Sequence, residues 1–289
     1  RPASGHQDDG PDGWDHRTVR AQLLREAQAL RAVQSENCLR VSDVIDTAGV
    51  FALVTDYVDG VSLRDLLGAR GPLSGPEALT VLWGATLGLE AVHSAGLIHG
   101  DVKPANILVE PTGNSRLIDF GLATAPGWVS EDDLAPWGSP AYASPEQVQF
   151  GYRDARSDIY SLTVTLYEAL CQRRPFLGDT LDEVRWRHVN EPLPDPRLLV
   201  PDLGDDLTQL LMWGTSKDPA ARPQNAATFR DRFARAAAAR GSALGHELLS
   251  FGRGASMQLE RVGANALQRD AAAQLRGRVG PGVSLRLDL

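Results

Sequence analysis

The residues best suited to chemistry lie in the short stretch His99–Asn106 and at Asp119, a little further along the chain. Phosphoryl transfer from a nucleotide needs a carboxylate to orient the nucleophile, oxygen ligands for Mg²⁺ and a cation near the moving phosphate. Asp101 and Asn106 lie on one loop before a predicted strand, so that loop can offer a carboxylate to the substrate and an amide oxygen to a metal. Asp119 follows the next predicted strand and offers a second metal ligand, while Lys103 offers the cation. The pattern therefore predicts a phosphoryl-transfer site.

Three segments occur in an order that resembles the catalytic domain of the Ser/Thr protein kinases, most closely that of the bacterial members. His99–Asn106 resembles the catalytic loop, Asp119-Phe120-Gly121 the metal-binding triplet, and Ser144-Pro145-Glu146 the triplet that ends the activation segment. The resemblance extends over residues 16–238. It implies a bilobal α+β fold with a mainly helical C-lobe. It also implies transfer of the γ-phosphate of ATP to Ser or Thr residues of protein substrates.

The resemblance further implies roles for single residues. Asp101 and Lys103 would be the catalytic residues, and Asn106 and Asp119 would hold Mg²⁺ or Mn²⁺. The residues expected to contact ATP are Glu26, Thr55 at the gatekeeper position, Asp56 and Val58 in the hinge, and Leu108 under the adenine. Those expected in the activation segment near the substrate are Thr124, Ser130 and Ser139, the last within reach of Asp101 and Lys103. Those expected to support the site are His99 packed on Phe120, Asp158, and Glu146 paired with Arg222.

One departure from the family pattern concerns ATP binding. No G-x-G-x-x-G occurs in the sequence, and its only lysines are Lys103 and Lys217, so Glu26 has no lysine partner here. The chain begins at Arg1 and not at Met, and we interpret it as a kinase domain without its glycine-rich loop and lysine strand. We therefore expect this chain to bind ATP weakly. The alternative is a pseudokinase that acts as a binding or signalling module, and the intact catalytic and metal-binding residues favour the enzyme.

A second departure is Gly100, which replaces the arginine that usually precedes the catalytic aspartate in this family. In many members that arginine binds a phosphorylated activation loop. We therefore expect activity without phosphorylation of Thr124 or Ser130. The His-Gly-Asp variant also resembles small-molecule phosphotransferases of the kinase-like fold, but Lys103-Pro104 and the full segment from Asp119 to Glu146 favour a protein substrate. A P-loop enzyme is excluded, because neither lysine follows a glycine as that motif requires.

Composition narrows the class of protein. Of the 289 residues, 43% are hydrophobic and 23% are charged, as in ordinary globular domains. A net charge of −8 argues against a nucleic-acid partner. No apolar run reaches the roughly 18 residues of a membrane helix, and the two cysteines provide no disulfide framework. We expect a cytoplasmic location, although a full-length parent could be anchored in a membrane.

Hydrophobic spacing predicts the elements that position these residues. Strands are predicted at Cys38–Ile45, Phe51–Val58, 107–109 and 117–118, and a long helix is predicted from a capping box at Ser74 and Glu77. Further helices are predicted over residues 16–33, 157–171, 180–189, 204–215 and 224–238. We divide the chain into a partial N-lobe (1–58), a C-lobe (59–238) and a C-terminal extension of unknown role (239–289).

Overall fold

The structure, a computed structural model, describes residues 24, 27–47, 50–127 and 139–238. Residues 27–32 are helical. The strands that follow are β1 (Val41–Thr47), β2 (Val50–Thr55), β3 (Val61–Ser62), β4 (Ile107–Val109) and β5 (Ser115–Leu117). The helices are α1 (Leu63–Arg70), α2 (Gly75–Ser94), α3 (Pro145–Phe150), α4 (Ala155–Cys171), α5 (Leu181–Asn190), α6 (Asp205–Gly214) and α7 (Ala226–Ala238). The expected α+β class, with small sheets and a helical C-lobe, is confirmed.

The first sheet is the antiparallel pair β1 and β2, with Val41 opposite Thr55. The strand predicted to begin at Cys38 begins at Val41, because the residues before Val41 pair elsewhere. The Leu39 N–H donates to the Leu117 carbonyl at 2.9 Å, and the Leu117 N–H donates to the Asn37 carbonyl at 2.8 Å. The start of the predicted strand therefore lies along β5 instead of β2.

The second sheet has the strand order β3-β4-β5, and both of its pairings are antiparallel. In it Ile107, the first residue of β4, lies opposite Leu117, the last residue of β5. Because antiparallel pairing places the start of one strand beside the end of its neighbour, the residues just outside the ladder are adjacent too. The Ile118 N–H donates to the Asn106 carbonyl at 3.0 Å. This pairing brings the chain at Asn106 beside the chain that leads to Asp119.

The helical body is built around α4, in which every residue from 157 to 167 is buried. A helix that is buried on all sides belongs to the centre of a core. The predicted capping box begins α2, where the Ser74 N–H donates to Glu77 Oε2 at 2.9 Å and the Glu77 N–H donates to Ser74 Oγ at 3.4 Å. Gly84 allows α2 to approach β5 closely, since a Cβ there would lie 2.6 Å from the Ser115 carbonyl oxygen.

The four predicted helices of the C-terminal half begin within two residues of their predicted starts, at Ala155, Leu181, Asp205 and Ala226. Helices α1 and α3 were not predicted, because eight and six residues are too few for a helical period to be read. Within the described ranges, no helix is both long and apolar enough to cross a bilayer. The extension at 239–289 lies outside the described residues, and the division into lobes stays a prediction.

Candidate active site

The loop that carries the candidate site is attached to α4 through Asp158. This carboxylate is 1% exposed. It accepts hydrogen bonds from the backbone N–H groups of His99 and Gly100, each at 2.8 Å. Burial alone would raise the pKa of Asp158, but the hydrogen bond and charge of His93 and the bond from Gly100 lower it below its usual range. Hydrogen bonds to a charged acceptor are the stronger kind, so Asp158 fixes the start of the loop.

His99 lies behind the site and is fully buried. Its Nδ1 accepts the Asp101 N–H at 3.3 Å, and its Nε2 lies 3.1 Å from the Ile118 carbonyl oxygen, which can only accept. The ring is therefore neutral, with its proton on Nε2. The His99 ring also contacts the Phe120 ring, at 4.8 Å between centroids. With both nitrogens engaged, His99 joins the loop of Asp101 to the Asp119-Phe120-Gly121 triplet and is not free to act as a base.

Asp101 is the centre of a cluster of polar contacts. Lys103 Nζ lies 2.5 Å from its Oδ2, and Asn106 Nδ2 donates to the same oxygen at 3.1 Å. The Ser139 N–H donates to Oδ1 at 2.9 Å, and Lys103 Nζ also donates to Ser139 Oγ at 2.8 Å. The carboxylate is thus held in one orientation between its own loop and the segment that contains Ser139. It has the fixed geometry that a group orienting a hydroxyl nucleophile requires.

Asn106 and Asp119 provide the hard oxygen atoms that Mg²⁺ prefers. The Asn106 amide nitrogen donates to the backbone carbonyl of Asp101 at 2.9 Å as well as to its side chain, so the amide oxygen remains available to a metal. Asp119 is exposed, and its φ of +63° is unusual for a residue with a side chain. Such backbone conformations are costly and concentrate at functional sites.

No group of three or more His, Cys, Asp or Glu positioned for a metal occurs among the described residues. Two protein ligands suit an ion that takes its remaining ligands from phosphates and water.

Glu146 and Arg222 form a buried ion pair. Two parallel bonds of 2.8 Å join Arg222 Nη1 and Nη2 to the two carboxylate oxygens, and the Arg222 side chain is 0% exposed. Ser157 Oγ also donates to Glu146, at 2.7 Å. Burial alone would raise the pKa of Glu146, but the bonds from Arg222 and Ser157 hold it below its ordinary value. The pair connects α3 to the loop before α7.

The chain matches the protein kinase domain model over residues 12–234. This chain belongs to the protein kinase family. Relatives include a probable serine/threonine-protein kinase of Streptomyces coelicolor (34% identical), the serine/threonine-protein kinase PknB of Mycobacterium tuberculosis (38%) and the DNA damage-responsive serine/threonine-protein kinase RqkA of Deinococcus radiodurans (39%). These alignments cover 74%, 71% and 72% of the chain, but 33%, 34% and 32% of the relatives. The chain therefore spans about a third of the length of these relatives.

In this kinase chain, four of the residues predicted to contact ATP lie between the end of β2 and the second sheet, or in that sheet. Thr55 ends β2, and the Asp56 N–H donates to the Arg40 carbonyl at 3.0 Å. Val58 lies three residues before β3, where Ser62 pairs with Leu108. The Asp56 N–H is therefore engaged and is not free to donate to an adenine. Glu26, the remaining residue of this set, lies outside the described residues.

The predicted activation-segment residues are placed differently from one another. Ser139 joins the Asp101 cluster as described above. Thr124 pairs with Ile98 through two backbone hydrogen bonds of 3.0 and 2.8 Å. The Thr124 hydroxyl oxygen is buried, so a kinase could not reach it without opening of the segment. Ser130 lies outside the described residues.

The second lysine does not join the site. Lys217 Nζ donates to the His188 carbonyl at 2.6 Å and lies 4.2 Å from the centre of the Phe176 ring. Burial lowers the pKa of Lys217 to about 8. Lys103 is therefore the only lysine in contact with the Asp101 cluster.

A pocket of about 410 Å³ opens beside Lys103 and Ser139. The sequence motifs described above predict no role for its other lining residues, which are Arg64, Ala105, Pro140, Ala141, Tyr142, Arg174, Leu181 and Val184. The Tyr142 hydroxyl donates to Glu168 at 2.6 Å. The residues come from α1, α5 and several loops, so no local pattern in the sequence could have grouped them.

Proposed function

We propose that this chain contains the catalytic residues of a serine/threonine protein kinase, which transfers the γ-phosphoryl group of ATP to a Ser or Thr hydroxyl of a protein substrate. The observation that carries this proposal is the single cluster in which the Asp101 carboxylate meets Lys103, Asn106 and Ser139. In the transfer, a bond forms between the hydroxyl oxygen and the γ-phosphorus, and the bond from that phosphorus to ADP breaks. The names of the relatives support the choice of Ser and Thr as acceptors.

Each residue of the cluster has a role that fits its contacts. Asp101 would orient the substrate hydroxyl and accept its proton, because its carboxylate is fixed and its oxygens are acceptors. Lys103, placed between Asp101 and Ser139, would neutralise charge on the transferring group. Asn106 and Asp119 would hold Mg²⁺ or Mn²⁺, which would neutralise charge on the phosphates of the bound nucleotide.

The nucleotide would lie between Thr55–Val58 and Leu108. The adenine would form hydrogen bonds with the Asp56 carbonyl and with the backbone of Val58. Leu108 is half-buried between two buried residues of β4, so its side chain points away from the core side of the strand. An apolar side chain in that position can support the flat face of an adenine. The use of ATP supports a cytoplasmic reaction.

The proposal is tested with the intact gene product and radiolabelled ATP. In the presence of Mg²⁺, we expect phosphate on serine and threonine of a mixed protein substrate and none on tyrosine, as read by phosphoamino-acid analysis. A metal chelator should abolish the transfer, and added Mg²⁺ or Mn²⁺ should restore it. Binding of ATP without transfer to any protein would contradict the proposal and favour the pseudokinase. Transfer to small molecules alone would favour the small-molecule phosphotransferase.

We further propose that substrates carry an acidic residue close to the phosphorylated Ser or Thr. Among the residues that the structure describes, the 410 Å³ pocket beside Lys103 and Ser139 is lined by two further cations, Arg64 and Arg174, and by no carboxylate. The nearby Glu168 is already bonded to the Tyr142 hydroxyl. A peptide whose acceptor hydroxyl reaches Asp101 must pass this pocket, and opposite charge there favours an Asp or Glu side chain.

A peptide series in which one aspartate is moved along both sides of a serine tests this substrate preference. We expect the best aspartate position to lower KM relative to the neutral peptide by about threefold to fivefold, since an exposed ion pair contributes up to about 1 kcal/mol. The variant Arg64→Ala/Arg174→Ala should remove that advantage and leave the neutral peptide unaffected. Arg173→Ala is the matched control, because Arg173 is exposed next to Arg174 but does not line the pocket. Equal KM values for the acidic and neutral peptides would contradict the preference without affecting the kinase assignment.

A further inference from the structure

Gly100 has a geometry that only glycine satisfies here. Its φ is +79°, in the left-handed region that side chains rarely adopt. A Cβ at this position would also lie 2.9 Å from Nη1 of Arg153 and 3.1 Å from the carbonyl oxygen of Leu122. The space that a side chain at position 100 would need is therefore occupied by the guanidinium group of Arg153.

Arg153 reaches this space from the loop between α3 and α4, and it is only 3% exposed. Its Nη1 lies 3.5 Å from the Leu122 carbonyl oxygen, and its own backbone carbonyl accepts the Gly127 N–H at 3.0 Å. Arg153 thus contacts both ends of residues 122–127, the segment that directly follows the Asp119-Phe120-Gly121 triplet. The segment is also held in its middle by the backbone pair of Thr124 and Ile98.

The charges around Arg153 favour a cation at this place. Burial lowers the pKa of Arg153, while the negative charges of Asp158 and Asp101 raise it. Arginine stays protonated even when buried, so its positive charge is stabilised by the carboxylate that fixes the loop and by the carboxylate at the centre of the site. Arginine suits this position better than lysine, because its planar fork offers donors in several directions from one buried side chain.

We propose that Arg153 is a positioning residue that holds residues 122–127 against the loop of Asp101. Family members usually have an arginine immediately before the catalytic aspartate. In this chain the cation comes instead from Arg153 in a different element, and Gly100 leaves space for the Arg153 guanidinium. The anchor is part of the fold, so the segment needs no phosphate to be held in place. The proposal rests on the kinase function proposed above, and it concerns how that site is kept in order.

The first test compares Arg153→Ala with Arg153→Lys in the intact gene product. For Arg153→Ala we expect kcat to fall about tenfold with little change in KM for peptide, since one hydrogen bond from a charged group is worth about that factor. Amide hydrogens of residues 122–127 should exchange faster with solvent. Arg153→Lys should recover part of both losses, and phosphatase treatment should leave kcat of the unchanged protein as it was. The exchange measurement does not depend on activity, so it tests the position of Arg153 even if the kinase assignment fails.

Arg156→Ala is the matched control, because Arg156 is the next arginine in the chain and pairs with Asp154 near the surface. It should leave kcat and the exchange of residues 122–127 unchanged. The proposal is overturned if Arg153→Ala leaves both unchanged, or if Arg156→Ala has the same effects.

A double-mutant cycle with Gly100→Ala provides a second test, which measures stability and does not depend on activity. The added methyl group has to displace the guanidinium when Arg153 is present but not when it has been truncated. The strain of a positive φ and the contact with the Leu122 carbonyl are the same in both backgrounds, so they cancel in the cycle. Gly100→Ala should therefore lower the urea midpoint of unfolding more in the Arg153 background than in the Arg153→Ala background. Equal shifts in the two backgrounds would show that Gly100 and Arg153 are not a matched pair.

Discussion

Replacing Asp101 by asparagine is expected to lower kcat by roughly 10²- to 10⁴-fold, the usual contribution of a positioned acid–base group. The contacts of Asp101 explain why so small a change is severe. Both of its oxygens accept hydrogen bonds, Oδ2 from Lys103 and Asn106 and Oδ1 from Ser139. An asparagine must place its NH₂ group at one of these positions, where it faces another donor. The variant can neither accept the hydroxyl proton nor keep the cluster intact. Steady-state kinetics with a fixed peptide measures the effect.

Asp206→Asn is the control for this experiment, since Asp206 is an exposed residue in the first turn of α6, remote in sequence from the site. It makes the same chemical change and should leave kcat within twofold of the unchanged protein. The melting temperature of Asp101→Asn should also be measured, so that lost activity is not confused with lost folding. Near-full turnover by a folded Asp101→Asn variant would refute the role assigned to this carboxylate.

The convergence of Asp101, Asn106 and the Asp119 segment could be predicted because short-range order determines it. Asn106 directly precedes β4 and Asp119 follows β5 closely, and two short strands this near in sequence pair antiparallel. Once they pair, Asn106 must lie beside the residue before Asp119. The order of the motifs predicts the same grouping. In the structure, the hydrogen bond from the Ile118 N–H to the Asn106 carbonyl holds these two segments together.

Other features could not be predicted, because they depend on contacts between distant segments that have no pattern of their own. Gly100 could be recognised as an unusual residue, but nothing around Arg153 in the sequence shows that its side chain enters the space beside Gly100. The pairing of Leu39 with Leu117 is similar, since Cys38–Ile45 has the composition of one continuous strand. Local propensity favours a strand over Cys38–Ile45, and only tertiary contacts determine which neighbour each part of it pairs with.

Replacing Arg222 by methionine is expected to lower the free energy of unfolding by about 3–5 kcal/mol, because it leaves a buried carboxylate without its partner. Arg222 is fully buried and donates to both oxygens of Glu146 and to the carbonyls of Arg156, Ser216 and Lys217. A domain of this size is stable by only about 5–15 kcal/mol, so the variant would be close to unfolding at ambient temperature. Urea denaturation measures the loss. Arg230→Met is the matched control, since Arg230 pairs with Glu90 near the surface and such pairs contribute about 0–1 kcal/mol.

The pH dependence of this loss identifies its cause. In the unchanged protein the pKa of folded Glu146 lies below the ordinary value of 4.5, so its ion pair stabilises the fold above that pH and the stabilisation is lost as the pH falls. Without Arg222, burial raises the pKa of Glu146 instead, and protonation of the orphaned carboxyl then relieves the penalty as the pH falls. The stability gap between the two proteins should therefore be widest near pH 7 and narrow as the pH approaches 4.5.

The double variant Glu146→Leu/Arg222→Met has no orphaned charge, and it should lose less stability than the sum of the two single changes. Strict additivity, or a gap that does not depend on pH, would mean that Arg222 stabilises the fold through its carbonyl contacts and its packing on Tyr160 rather than through the charge of Glu146.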